Sequence, residues 1–264
     1  MVLNRKHFEA KFYRFPPWRC PSCGDGTLSS IKNARSVVET GPSRKEHARD
    51  EWEPDWIQER FTDMLQCSNA TCEELVAVSG HTRNSWDYFH GPDGETETDL
   101  TTFLVPTGFD PAPLIIEIPS KVPDDIKEVF RSAFSLFWQD KEACANKLRI
   151  SVELLMDDLK IPAKKKGKDG RERPLSLDSR LTEYATISKE ISDLLLAVKW
   201  IGNAGSHASL SKLDSEDLLN VLEILELVLE ENYIGRRKRL AAIADAINAA
   251  KGKPEKVRRR GMFD

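Results

Sequence analysis

Two short cysteine pairs constrain this chain more than any other feature. The first is Cys20-Pro21-Ser22-Cys23-Gly24; the second, separated from Cys23 by 43 residues, is Cys67-Ser68-Asn69-Ala70-Thr71-Cys72. Thiolates from one tight turn can fill two corners of a tetrahedron, and a second turn can close the other two. Pro21 stiffens the first turn, and Gly24 permits a positive φ just past the second thiol. The opening MVLNRKHFEAKFYRF lacks the apolar stretch of a signal peptide, and no run approaches the roughly 18 apolar residues of a membrane span. The chain is therefore expected in the cytoplasm with no membrane partner. In that reducing compartment, close pairs imply metal or redox chemistry before disulfides. Cys20, Cys23, Cys67 and Cys72 are expected to hold one structural zinc, because four thiolates leave no position open to activate water. His81 or His90 could replace one member of the second pair, and a thioredoxin-like redox pair or free thiols are the competing uses. Cys144, within KEACANKLRI, reads as a small buried hydrophobe.

The sequence around the cysteines suits short strands. RFTDMLQCS, ELVAVSGH, TTFLV and PLIIEI are β-rich runs separated by Gly, Pro, Asp and Asn. Glu39 to Asp55 is polar and charged and reads as a long exposed loop. These features predict an α+β chain. A small antiparallel zinc-ribbon domain over residues 1–118 has too little core to stand without its metal. An all-α helical bundle follows over 119–251, and then a basic tail over 252–264.

Helical periodicity begins after Pro119. Pro123 and two acids open a helix whose apolar face is Val129, Ala133, Leu136 and Phe137. A second helix carries Ala145, Leu148, Val152, Leu155 and Leu159 at spacings of three and four. Residues 180–201 repeat the rhythm through Ile187, Ile191, Leu194 and Val198. DSEDLLNVLEILELVLEENY, capped by Asp214, is apolar around much of its circumference and should be the most buried helix. RRKRLAAIADAINAAK makes the last.

The net charge of −4 gives no global attraction to nucleic acid, so any such attraction must be local. The long connection after Ile161 carries Lys164, Lys165, Lys166, Lys168, Arg171 and Arg173 against Asp169 and Glu172. The tail KGKPEKVRRRG adds six bases against one acid. Both segments read either as solvated and flexible or as an electrostatic footprint for a phosphate backbone. No aromatics are interleaved there to stack bases.

KWIGNAGSH, residues 199–207, closes a helix with two glycines. A helix continued through it would put Lys199, Asn203 and His207 in line, a set suited to a polyanion or to general acid–base attack of an RNA 2′-hydroxyl. The plainer alternative is that Gly202 and Gly205 cap the helix and His207 is a loop residue.

The CPSCG knuckle, the second cysteine pair, IPSKVPDDI, KLRISVELL with Arg149 and Glu153, and the helix closing in GNAGSH together resemble the bacterial family called domain of unknown function 4145. The likeness runs from about residue 18 to 230. That family resembles the HEPN superfamily of helical domains, many of them dimeric, metal-independent ribonucleases of toxin–antitoxin and phage-defence systems. The resemblance implies a HEPN-like bundle and a homodimer. It places the family's histidine at His207 and its polar residue at Asn203. The family's arginine does not carry over: Gly202 precedes Asn203, the nearest upstream base is Lys199, and Arg149 on a neighbouring helix is the other candidate guanidinium. Two functions follow as expectations. One is a non-catalytic module that binds nucleic acid or a protein partner, linked to defence against phage. The other is an endoribonuclease with a composite site of Lys199, Asn203, His207 and Arg149 at a dimer interface.

Overall fold

The computed structural model of the chain describes residues 3–90, 96–167, 170–204 and 212–253. An antiparallel sheet comes first and a helical layer follows. The sheet is built on three long strands, β3 (Glu59–Cys67), β4 (Leu75–His90) and β5 (Thr96–Asp110), each pairing with the next. Two short strands, β1 (Leu28–Ser30) and β2 (Ser36–Glu39), lie end to end along the free edge of β3, in registers Leu28↔Cys67 and Ser36↔Thr62. Side chains on β3 alternate as a half-buried strand requires, with Phe61, Asp63, Leu65 and Cys67 inward. Asp63 is buried because Arg35 Nε and Ser30 Oγ donate to its carboxylate at 2.8 and 2.9 Å.

The helical layer contains α2 (Asp124–Gln139), α3 (Lys141–Asp158), α4 (Leu177–Tyr184), α5 (Lys189–Ala204), α6 (Ser215–Leu229) and α7 (Arg236–Ala250); α1 is a single short helix, Gly41–Glu46, within the sheet region. Asp140 alone separates α2 from α3, and its side chain accepts the Ala143 amide at 2.8 Å as the cap of α3. α3 runs through the middle, packing against α2, α5 and α6, while α2 also lies on β5. Asp214 caps α6 through a reciprocal capping box with Asp217, and seven residues of α6 are buried. Buried Arg180 ties α4 to the end of α3. It bonds Asp157 at 2.6 Å and the Ile161 carbonyl at 2.9 Å, placing a cation where the helix dipole is negative. No described helix is long and apolar enough to cross a membrane.

Sheet and helices share one apolar core, and an aromatic cluster joins them. Trp18, fully buried, packs edge-on against Phe109 of β5 and Trp138 of α2 at ring-centroid distances of 5.1 and 5.5 Å. Phe8 meets Phe137 at 6.0 Å, and Phe109 meets Trp138 at 4.8 Å. The Trp18 indole donates to the His7 carbonyl at 2.6 Å, so its polar edge is satisfied.

Several expectations are corrected. Glu39–Asp55 is not an open loop. Thr40 caps α1, and buried Ser43 donates to Glu39 at 2.6 Å while accepting the Gln58 amide at 3.0 Å. PLIIEI does not form a strand; Leu114 makes an isolated bridge with Arg19, outside the sheet strands. Flanked by prolines, it instead wedges Ile115 and Ile116 into the core. The buried residues of α2 are Ile126, Phe130, Ala133, Phe134, Phe137 and Trp138, with Val129 and Leu136 only partly covered. Residues 180–201 are two helices: Ile187 sits in the turn between α4 and α5, largely exposed, and the face of α5 is Ile191, Leu195, Val198 and Gly202. Replacing Trp138 with Ala should cost about 3–5 kcal/mol, since a large aromatic is lost where the two layers meet. Denaturant unfolding should show a lower midpoint in a single transition reported alike by sheet and helix signals.

Candidate functional site

The two cysteine turns are brought together by strand pairing. Cys67 is the last residue of β3 and faces Leu28 of β1, which follows the first knuckle. Cys20 N–H donates to the Gly26 carbonyl at 2.9 Å and Gly24 N–H to the Cys20 carbonyl at 3.1 Å, closing the first turn. The second turn is held by Asn69, whose side chain accepts the Thr71 amide at 3.0 Å. As a result the sulfurs of Cys20, Cys23, Cys67 and Cys72 all lie within 4.8 Å of one another. Cys20–Cys72 and Cys23–Cys67 are separated by 3.8 and 3.7 Å. A tetrahedron with sulfurs about 2.3 Å from its centre has edges of about 3.8 Å. The cluster therefore fits one metal ion, and neither His81 nor His90 is needed to complete it.

Backbone amides supply the support such a cluster requires. Gly26 N–H points at Cys23 Sγ at 3.3 Å, and Asn69 N–H at Cys67 Sγ at 3.4 Å. The Gly26 amide holds the Cys23 thiol down to about 6, while burial pushes Cys20 and Cys67 up. Gly26 is also a steric requirement: a Cβ there would run into Cys67 Sγ and come within 3.1 Å of the Asn69 amide. Gly26 was missed in the sequence because it lies outside the C-x2-C spacing; only the pairing of the two turns reveals it. Cys144 is separate and fully buried, its thiol pushed up to about 12 by burial, as a packed apolar residue should be.

The KWIGNAGSH corner is placed only in part. α5 continues through Gly202 to Ala204, and His207 and Gly205 lie outside the described residues. Gly202 is not a cap. It is the point where α5 crosses α3, since a Cβ would meet Arg149 Cβ at 2.5 Å and the Ala145 carbonyl at 3.0 Å. This crossing brings Arg149 beside the turn that carries half-buried Asn203. Arg149 Nη1 is bound to Glu153 at 2.7 Å. Lys199 is 11% exposed, bound to Asp178 at 2.5 Å, with Nζ 4.0 Å from the Trp200 ring centroid. Asp178, on the neighbouring helix, was the partner that sequence spacing could not supply.

The basic connection is ordered where it is described. β6 (Lys164–Lys166) and β7 (Glu172–Pro174) pair as an antiparallel ribbon in register Lys164↔Pro174, Lys165↔Arg173, Lys166↔Glu172, every residue exposed. Arg171 lies in the described return to β7, and Lys168 lies outside the described residues.

A family described as a domain of unknown function, DUF8608, matches residues 8–109, and another so described, DUF4145, matches residues 131–250. The second is the family expected from the sequence, but its match is confined to the helical region. The cysteine pairs, expected to be part of it, fall within the first. No curated protein and no solved structure matches the chain.

Substituting Gly26 with Ala should disturb the cluster without removing a sulfur. Metal affinity, measured by competition with a chromogenic chelator, should fall at least tenfold while Cys144→Ala leaves it unchanged.

Proposed function

We propose that this protein is a binding module in which a structural zinc fastens the sheet and the β6–β7 ribbon grips the phosphate backbone of nucleic acid. The observation carrying this reading is the ribbon itself: Lys164, Lys165 and Lys166 are held in an exposed strand with Arg173 paired opposite Lys165. Cations fixed on a ribbon contact phosphates with less ordering cost than the same residues on a loose chain. Zinc is the ion of choice because it is redox-inert and accepts a tetrahedral thiolate set, and four thiolates leave it no catalytic position. The cluster then serves to hold the fold.

Lys199 and Arg149 favour binding over cleavage. Both candidate cations of the HEPN-like corner are already engaged by carboxylates, Asp178 and Glu153. A cation so committed must be released before it can counter charge on a reacting phosphate, which raises the barrier it would be asked to lower. A role in defence against phage agrees with a nucleic-acid-binding module and rests on the family resemblance.

Binding to single-stranded RNA and to duplex DNA, followed by fluorescence anisotropy across a salt series, tests the proposal. Replacing Lys164, Lys165 and Lys166 together with Ala should weaken binding and reduce the slope of log K against log salt by about 2–3. Absence of binding to either polyanion at low salt would overturn it. Incubation with RNA in chelator should leave the strands intact, without 2′,3′-cyclic phosphate ends; such ends, abolished by His207→Ala, would establish the endoribonuclease instead.

A further inference from the structure

The distal part of the β4–β5 hairpin extends past the rest of the sheet. β3 stops pairing at Arg60↔His81, yet β4 and β5 continue together to His90↔Thr96. Among the described residues no strand pairs with the outer edges of Ser85–His90 or Thr96–Thr101. The register gives this arm two unlike faces. Asp87 and Asp99 are directly opposed, with Glu97 two residues along on the same side; Trp86, Tyr88 and Leu100 occupy the other, and Tyr88 is 72% exposed. No Lys or Arg occurs from Asn84 to Ser120, so the segment brings no cation of its own to the acidic face.

Directly opposed like charges weaken a strand pair, and Asp87↔Asp99 is such a pair. The β6–β7 ribbon is of the opposite sign, with Lys164, Lys165 and Lys166 along one strand and Glu172 the single acid of the two strands. A cationic ribbon laid against Asp87 and Asp99 would relieve their repulsion, and two two-stranded ribbons are of a width to lie against each other. An acidic face repels nucleic acid, so its partner is a cationic protein surface, and this chain carries one. We infer that the acidic face of the β4–β5 arm docks on the β6–β7 ribbon of a second copy of the chain. Exchanged reciprocally about a two-fold axis, two such contacts close a dimer and leave no open end for further addition. The docking depends only on the two ribbons. Its consequence, that dimerisation and phosphate binding compete for the same lysines, rests on the function proposed above.

Sedimentation velocity on the full, metal-loaded chain tests this directly. At low salt the parent protein should reach twice the monomer mass with increasing concentration, and return to monomer at high salt as the exposed charges are screened. Asp87→Lys/Asp99→Lys makes both ribbons basic, and Lys165→Glu/Lys166→Glu gives acidic groups to both. Each variant alone should stay monomeric with an unchanged circular dichroism spectrum. Mixed together they should form a one-to-one heterodimer, because both reciprocal contacts are then complementary. A parent protein that is monomeric up to its solubility limit, variants that dimerise alone, or a mixture that stays monomeric would each overturn the docking. A short RNA should dissociate the parent dimer. RNA that binds without dissociating it would overturn the competition alone, whereas a dimer that binds no RNA would leave the docking standing and remove the phosphate proposal.

Discussion

Four sulfurs within 4.8 Å of one another set the terms for everything else in this fold. Bringing thiols together from turns 43 residues apart costs the loop-closure entropy of the intervening chain, and that cost is offset only if the turns gain something by meeting. Bound metal would supply it, because its bonding free energy becomes folding free energy. The benefit extends beyond the cluster. Cys67 fixes the register of β3 against β1, and Cys20 lies two residues from Trp18, whose indole is the hub of the aromatic joint. Loosening the first knuckle would therefore free Trp18, and with it the contact between Phe109 of the sheet and Trp138 of α2. A small cluster at one edge is thus mechanically connected to the helical layer through a single buried tryptophan.

Much of this was legible from residue patterns, where one physical signal dominated. Thiol spacing identified the cluster, β-rich composition marked β3, and the strict three–four rhythm of Ala145, Leu148, Val152 and Leu155 found α3. Asp214 marked the start of α6 because a helix cap is a local signal, and Asp217 completes the capping box there. Misreadings fell where a local pattern competed with tertiary contacts. PLIIEI has the composition of a strand, but its proline-flanked backbone plugs the core. Ile187 continues the rhythm of α5 on paper yet sits in the turn before it. Glu39–Asp55 looked like a loop because it is polar, while the Ser43 bonds that shape it reach from Glu39 to Gln58.

The candidate site was legible in the same uneven way. Lys199 and Arg149 stood out as cations near a glycine-rich corner, but neither spacing nor composition shows that Asp178 and Glu153 hold them. Gly202 looked like a helix terminator, and its role is to let α5 approach α3 to the distance of a backbone contact. The charged segments behave differently. Lys164, Lys165 and Lys166 are exposed on one ribbon, and Asp87 and Asp99 are exposed and directly opposed on the other, where like charge opposes pairing. The two ribbons are of opposite sign, and composition alone shows neither their pairing nor their placement.

The central claim, that four thiolates grip one ion and thereby organise the sheet, is tested most directly by X-ray absorption at the metal edge of the purified protein. One zinc per chain with four sulfur neighbours at about 2.3 Å is the predicted result. Absence of stoichiometric metal, or a shell containing nitrogen or oxygen in place of any sulfur, would contradict it.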